Sequence, residues 1–192
     1  MNYLLCGVGG QGTVLAAKVL AAAAIAKGEN VKTTETIGMA QRGGSVVSHV
    51  RTGEEIHSPL IPEKKADIII AFEPAEAVRN IKYLKDGGTV IVSAKPVMPV
   101  TAALQGSDYN GNEMLEYLKT TGAKVNVVDT EKLCAECGST KVMNVILLGA
   151  AVRSGVLGIG ADEIKKALLE RIPSKHHELN VKALRLGLTE SI

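Results

Sequence analysis

Aromatic residues are scarce in this sequence, which has one Phe, four Tyr and no Trp among 192 residues. Proteins that bind nucleic acids use aromatic side chains to stack bases, or a strongly basic stripe to follow the phosphates. The charge balance provides no such stripe, because the formal net charge is only +2 at pH 7. The composition therefore predicts that this protein has no nucleic-acid partner.

Cysteine is also scarce, and the segment after Met1 has neither the basic region nor the cleavage site of a secretory signal peptide. A few cysteines without such a signal are typical of a reducing, cytoplasmic location. A metal site with four Cys ligands cannot be completed by Cys6, Cys134 and Cys137 alone. We interpret the C-x-x-C pair Cys134 and Cys137 as structural, with a site shared with another subunit as the alternative. The sequence predicts a cytoplasmic protein that binds no metal by itself.

Long hydrophobic runs and a recognisable catalytic triad are missing from the sequence as well. The apolar stretch at 16–26 contains Lys18 and is shorter than the roughly 20 residues that cross a bilayer. No Ser, His and Asp residues have the spacing of a nucleophilic enzyme. His176 and His177 are adjacent, so their side chains point about 100° apart on a helix and do not face one ion. The sequence predicts no membrane partner and no self-contained catalytic site.

The core has to be built from Ala, Val, Ile and Leu, since hydrophobic residues make up 46% of the chain but aromatics only 3%. Apolar runs alternate with helical patterns, which is typical of a sheet that helices cover on both faces. Strands are predicted at 2–6, 30–34, 46–51, 67–72, 89–93 and 124–128. Helices are predicted at 13–26, 75–83, 112–120, 141–154, 161–171 and 174–186. We expect one α/β domain over 1–192, with a three-layer α/β/α Rossmann-like fold. Its sheet should be largely parallel, or mixed if the strand at 46–51 runs antiparallel.

A glycine loop follows the first predicted strand, with the sequence Gly-Val-Gly-Gly-Gln-Gly at 7–12 before a helical pattern. A strand, a G-x-G-x-x-G loop and a helix in this order are typical of dinucleotide sites, where helix N–H groups hold an anion. An acidic residue that binds the ribose should follow about 20 residues later, and Glu35 is the candidate. The alternative is a turn that only packs the helix on the sheet or contacts a partner. The candidate ligand-binding residues of the loop are Gly7, Gly9, Gly10, Gln11 and Gly12.

A polar run at 34–51 contains a second group of candidate ligand-binding residues: Gln41, Arg42, Gly43 and Gly44, followed by His49 and Arg51. Paired glycines let another molecule approach the main chain, and Arg binds carboxylates and phosphates through two parallel hydrogen bonds. The alternative is that Arg42 and Arg51 form ion pairs between subunits. We expect Gln41 and Arg42 to lie beside Gly9 at the carboxyl ends of the parallel strands, where open α/β sheets bind ligands.

Three motifs together resemble the gamma-type subunits of 2-oxoacid:ferredoxin oxidoreductases. They are GVGGQG at 7–12, ETIGMAQRGGSVVSHVR at 35–51 and SPLIPEKKADIIIAFEPAEAVR at 58–79, and the resemblance continues to KHHELNVKALRLG at 175–187. It implies an accessory chain without catalytic residues. Thiamine diphosphate and iron–sulfur clusters would be bound by a large partner subunit, which the rim carrying Gln41 and Arg42 would face. Coenzyme A would be a co-substrate of the complex, and ferredoxin would accept the electrons.

Within that family, the resemblance favours the subunits of enzymes that act on indolepyruvate. The implied reaction is the oxidative decarboxylation of an aryl 2-oxoacid to its acyl-CoA. Gamma subunits of enzymes that act on pyruvate, 2-oxoglutarate or 2-oxoisovalerate are an alternative within the family. A stand-alone nucleotide-binding Rossmann protein is the alternative from a different class.

Overall fold

The computed structural model describes residues 1–37, 43–98 and 109–189. The described residues form six strands and seven α-helices, with a 3-10 turn at Ile81–Tyr83, Thr140–Val142 and Ser174–His176. The strands are β1 Asn2–Val8, β2 Val31–Ile37, β3 Ser45–Thr52, β4 Ala66–Ala71, β5 Leu84–Ser93 and β6 Lys124–Val128. The helices are α1 Thr13–Ala26, α2 Pro74–Asn80, α3 Asn112–Thr120, α4 Thr130–Cys137, α5 Met143–Arg153, α6 Ala161–Arg171 and α7 His177–Thr189.

The strands form one mixed sheet in the order β2-β3-β1-β4-β5-β6. Strands β1, β4, β5 and β6 are parallel, whereas β3 is antiparallel to both of its neighbours, β1 and β2. The predicted α/β fold is therefore confirmed, and so is the antiparallel strand that makes the sheet mixed. The central strand β4 contains Ile68, Ile69 and Ile70, all fully buried, as expected for a strand that is covered on both faces.

Helices cover both faces of the sheet. One buried cluster joins α1, α5, α6 and α7 to side chains such as Leu5 and Ile70, and the other joins α2 and α3 to side chains such as Leu4 and Ile69. Successive residues of a strand point to opposite faces, so Leu4 and Leu5 belong to different clusters. The result is the three-layer arrangement that the alternating pattern predicts.

Two elements differ most from the sequence predictions. Strand β5 begins at Leu84, five residues before the predicted start at Thr89. The pairing of β5 with β4 shifts between Ala66 and Ile68, and Gly87 has φ 67° there, so a bulge accommodates the glycines within the strand. Helix α4 was not predicted, because its eight residues give too short a periodic pattern. The Asp129 side chain accepts the Lys132 N–H at 3.0 Å and caps that helix.

Within the described ranges, no single helix is both long and apolar enough to cross a membrane. Taken together, the helices Thr130–Cys137 and Thr140–Arg153 are long and apolar enough, but the chain bends by 120° between them. The second helix of that pair is buried from Met143 to Ala151, which is typical of a core helix.

Helices α5 and α7 approach each other through two glycines. A Cβ on Gly149 would lie 2.5 Å from the Leu184 carbonyl oxygen, and a Cβ on Gly187 would overlap the Ile146 carbonyl oxygen. The backbones of the two helices are therefore in direct contact at this point. No flexible side chain can move away to make room, because the opposing atoms belong to the main chain.

We predict that Gly187→Ala lowers the free energy of unfolding by about 1–3 kcal/mol, the usual cost of overpacking. At an open helix position the same change is stabilising, because Ala favours a helix over Gly by about 1 kcal/mol, so the sign is diagnostic. Urea denaturation measures the effect, with Arg185→Ala, an exposed position on α7, as the control. The control should change stability by less than about 0.5 kcal/mol, and an unchanged midpoint for Gly187→Ala would contradict the close contact.

Candidate functional site

The carboxyl ends of β1 and β4 lie side by side, and the chain connections diverge from them. Strand β1 continues through α1 to β2 on one side of the sheet, and β4 continues through α2 to β5 on the other. Open α/β sheets bind ligands at such a topological switch point. We define the switch-point rim as the glycine loop at 7–12, the turn at Gly43 and Gly44, and the first turn of α2 at 73–76.

The glycine loop is shaped by close packing. Gly12, which precedes α1, has φ 83°, and a Cβ there would lie 2.7 Å from Asn144 Nδ2. A Cβ on Gly7 would lie 2.8 Å from the Cβ of Phe72. Gly10 is different, because no described atom lies within 4 Å of the position that a Cβ would occupy, but its φ is 102°, a conformation that favours glycine. Packing explains Gly7 and Gly12, whereas the backbone conformation explains Gly10.

The Gln11 side chain closes the loop on itself. Its Oε1 accepts the Val8 N–H at 2.7 Å, and its Nε2 donates to the Phe72 carbonyl at 3.0 Å. The amide thus joins the ends of β1 and β4. A contact between Gln11 and a ligand stays a prediction. The nearby Thr13 hydroxyl is buried and has no hydrogen-bond partner in the described part of the chain.

The second glycine segment meets the glycine loop at the same edge of the sheet. The Gly9 N–H donates to the Gly44 carbonyl at 2.8 Å, and Ser45 pairs with Val8 as β3 begins. Because β3 is antiparallel to β1, its first residues lie where β1 ends. Gln41 and Arg42 lie outside the described residues, so their place beside Gly9 stays a prediction.

Two buried acidic residues complete the rim, and neither was predicted from the sequence. Glu76 is 2% exposed. Its Oε2 accepts the Ser45 hydroxyl at 2.6 Å, and its Oε1 pairs with the Arg79 guanidinium. This carboxylate therefore joins α2 to the first residue of β3, immediately after Gly44.

Glu73, the second buried acid, caps α2 and binds the chain on either side of residues 99–108. Its Oε2 accepts the Glu76 N–H at 2.9 Å, and its Oε1 accepts the Val97 N–H at 3.4 Å and the Tyr109 hydroxyl. Burial, followed by this hydrogen bond, raises the pKa of Tyr109. In the sequence, Glu73, Pro74 and Glu76 follow a buried strand. This pattern predicts the start of a helix but no ligand-binding role.

Cys6 lies beneath this acidic turn and is fully buried. Burial and then the charges of Glu76 and Glu73 raise the pKa of the Cys6 thiol. A reactive cysteine requires the thiolate form. Cys6 is therefore a core residue, in agreement with its place in the first predicted strand.

Arg51 and His49, which belong to the polar run at 34–51, have structural roles. Arg51 lies at the amino edge, opposite the rim, where its guanidinium donates to Asn2 Oδ1 at 2.9 Å and to the Ser58 carbonyl at 2.8 Å. The expectation that Arg51 lies on the rim is wrong, because its donors fix the segment that follows β3 at the opposite edge. An ion pair between Arg51 and another subunit stays a prediction. His49 is buried, its Nδ1 accepts the Ile61 N–H at 3.2 Å, and burial lowers its pKa.

Glu35 does not have the position of a ribose-binding acid. In the dinucleotide fold that residue ends the strand next to β1, but here β3 lies between β1 and β2. Glu35 pairs with Ser48 on β3 and is exposed. Two strand spacings place it about 10 Å from the line of β1. This geometry disfavours the stand-alone NAD-binding alternative.

Cys134 and Cys137 lie in the second half of α4 rather than at the start of a helix, and burial raises the pKa of both thiols. No group of three or more His, Cys, Asp or Glu residues with metal-binding geometry occurs within the described ranges. Cys134 lines a separate cleft of about 530 Å³, together with Lys95, Glu131 and Lys141. The Lys95 ammonium pairs with Glu131 at 3.2 Å, so part of the charge in this cleft is neutralised internally.

The fold and the rim define a class of α/β protein: a mixed sheet with an antiparallel strand inserted beside β1 and a glycine loop at the switch point. The sequence model of the pyruvate ferredoxin/flavodoxin oxidoreductase family matches residues 2–190. The chain belongs to that family.

Known relatives and solved structures agree with this assignment. The chain is 39% identical to indolepyruvate oxidoreductase subunit IorB of Thermococcus kodakarensis, over 97% of this chain and 94% of that protein. It is 27% identical to the common gamma subunit of the pyruvate/ketoisovalerate oxidoreductases of the same organism, over 97% and 94%. A crystal structure of the gamma subunit of a keto/oxoacid ferredoxin oxidoreductase from Geobacter sulfurreducens has the same fold. Its TM-score is 0.71 and its identity 24%, with 97% of this chain and 95% of that chain covered.

We predict that Gly12→Ala destabilises the chain for two separable reasons. A non-glycine residue in the left-handed region costs about 1–2 kcal/mol, and the new Cβ also meets Asn144. In an Asn144→Ala background the contacts of the new Cβ with Nδ2 at 2.7 Å and Cγ at 3.1 Å disappear and only the contact with the Cβ at 3.3 Å stays, so the loss caused by Gly12→Ala should become smaller. A double-mutant cycle of urea midpoints measures this coupling, and strictly additive losses would contradict the contact.

We predict that His49 makes the folded chain less stable below pH about 6.5. Burial lowers the folded-state pKa of His49, so the unfolded chain binds more protons as the pH falls, and the free energy of unfolding decreases. His49→Asn keeps a neutral acceptor for the Ile61 N–H. It should make the free energy of unfolding depend less on pH, as measured by urea titrations above and below that pH. His57→Asn replaces an exposed imidazole and serves as the control. Equal slopes for His49→Asn and the wild type would contradict the prediction.

Proposed function

We propose that this chain is the accessory, gamma-type subunit of an indolepyruvate:ferredoxin oxidoreductase and that residues 1–192 act as one domain. The observation that carries the proposal is the 39% identity to subunit IorB across 97% of the chain. The lower identity of 27% to the subunit shared by pyruvate and ketoisovalerate enzymes favours an aryl 2-oxoacid as the substrate. Gamma subunits of pyruvate, 2-oxoglutarate or 2-oxoisovalerate enzymes remain the alternative within the family.

The composition of the rim supports an accessory role. Gln11, Glu73 and Glu76 are each engaged in hydrogen bonds within the chain, and the Cys6 thiol is buried. General acid–base and nucleophilic catalysis need a side chain that reaches the substrate. None of these four side chains is available for that task. We therefore assign the chemistry to the large subunit of the complex.

In the proposed complex, the large subunit holds thiamine diphosphate and iron–sulfur clusters and contacts the switch-point rim. The 2-oxoacid loses its carboxylate as CO₂, its acyl group passes to the sulfur of coenzyme A, and the electrons pass to ferredoxin. The complex would operate in the cytoplasm. This chain contributes binding surface and shape rather than a reacting group.

We infer that coenzyme A is the molecule that approaches the glycine loop. No described atom lies within 4 Å of the Cβ position of Gly10, and the first N–H groups of α1 can hold a phosphate. Arg42 is the proposed cationic partner of the phosphates. The negative charge of Glu76 is balanced by its ion pair with Arg79, which reduces its repulsion of an anion. A contact with the large subunit alone, without coenzyme A, is the competing role for the same surface.

We predict that the isolated chain has no 2-oxoacid-dependent activity, with or without added thiamine diphosphate. Co-expression with its large subunit should give a complex that reduces ferredoxin, or a viologen dye, when coenzyme A and indolepyruvate are added. Pyruvate, 2-oxoglutarate and 2-oxoisovalerate in parallel assays test the choice of substrate. Enzyme-like turnover by the isolated chain, or saturable micromolar NAD binding in calorimetry, would contradict the proposal.

A further inference from the structure

The two glycine segments of the rim are fixed by a side chain that belongs to neither of them. Glu76 lies on α2, yet its Oε2 accepts the Ser45 hydroxyl at 2.6 Å. Ser45 directly follows Gly44, whose carbonyl accepts the Gly9 N–H at 2.8 Å. A continuous series of contacts therefore runs from the buried carboxylate of Glu76 on α2, through the start of β3, to Gly9 in the glycine loop.

The position of Glu76 is itself fixed on several sides. Its main-chain carbonyl accepts the Asn80 amide at 2.8 Å and the Cys6 thiol at 3.4 Å. Its N–H donates to Glu73 at 2.9 Å. A carboxylate that is 2% exposed is costly unless all its oxygens have partners. Ser45 and Arg79 provide those partners, so moving Ser45 would leave one buried oxygen without a hydrogen bond.

Resting on the proposed function, we propose that Ser45 and Glu76 form a positioning pair for coenzyme A. The pair touches neither the reacting atoms nor the ligand. It sets the place of the Gly44 carbonyl and therefore the course of the main chain from Gly9 to Gly10. Ligand affinity at a main-chain site depends on such pre-organisation, because a loop that is already ordered loses less entropy when the ligand binds.

A neighbouring serine on the same strand provides a matched control. Ser48 is 1% exposed, and its hydroxyl has no hydrogen-bond partner in the part of the chain that the structure describes. Ser45→Ala and Ser48→Ala remove the same atom from β3, but only the first removes a contact with the rim. Ser45→Thr keeps the hydroxyl and tests rescue.

The experiment measures steady-state kinetics of the complex purified through its large subunit, with coenzyme A and the 2-oxoacid varied separately. Ser45→Ala should raise the KM for coenzyme A by about three- to tenfold, the effect of one lost hydrogen bond. The kcat and the KM for the 2-oxoacid should stay within about twofold, and Ser48→Ala and Ser45→Thr should match the wild type. Glu76→Gln and Ser45→Ala should be non-additive, since both weaken one contact.

Other outcomes separate the failure of this proposal from the failure of the proposed function. A wild-type complex that turns over without any dependence on coenzyme A overturns the assigned co-substrate and the proposed function. A coenzyme A-dependent wild-type complex, with an unchanged KM in Ser45→Ala, overturns only the positioning pair. The same holds if Ser45→Ala reduces the yield of complex while the assembled fraction keeps the wild-type KM, because Ser45 then serves assembly alone. If Glu76→Gln does not fold, the Ser45 variants decide the question.

Discussion

The antiparallel pairing of β3 with β1 is the constraint on which the rest of the site depends. A parallel strand in this position would begin at the amino edge, far from the glycine loop. Because β3 runs in the opposite direction, its first residue pairs with the last residue of β1, Val8, and the turn before it reaches Gly9. The same strand displaces β2 to the edge of the sheet. The antiparallel direction of β3 thus brings a second glycine segment to the rim. Its insertion beside β1 also moves Glu35 away from the place of a ribose-binding acid.

The electrostatics of the rim follow from this arrangement. Two buried carboxylates, Glu73 and Glu76, lie at the carboxyl edge, and among the described residues only Arg79 pairs with them through a charged contact. Hydroxyl and N–H donors satisfy the other oxygens, so the fixed charge on the α2 side of the rim is negative. The proposed anionic ligand would therefore bind on the side of the glycine loop and α1. This asymmetry gives a physical reason for a cationic residue such as Arg42 in the segment that precedes Gly43.

The sequence indicated the fold well, because apolar runs such as 67–72 are bounded by polar residues and turns. Pattern alone places strands along the chain but does not give their order in the sheet, so only the folded structure shows the insertion of β3 beside β1. The glycine loop was recognisable because its chemistry is local. The structural role of Arg51 was not predicted, because its partner Ser58 comes from a loop whose path the sequence does not reveal. The same loop provides Ile61, the partner of His49. Glu73 and Glu76 were missed because an acid before Pro predicts a helix cap equally well.

The burial of every sulfhydryl group has a practical consequence for handling the protein. Cys6, Cys134 and Cys137 are at most 8% exposed, and burial raises the pKa of each thiol. Alkylating reagents attack the thiolate, so the fully buried Cys6 is reached only when the chain opens. Cys6 lies in the central sheet, whereas the other two cysteines lie on α4, where Cys134 lines a cleft. Labelling of Cys6 therefore reports on opening of the sheet, and labelling of Cys134 reports on access to that cleft, without any engineered probe.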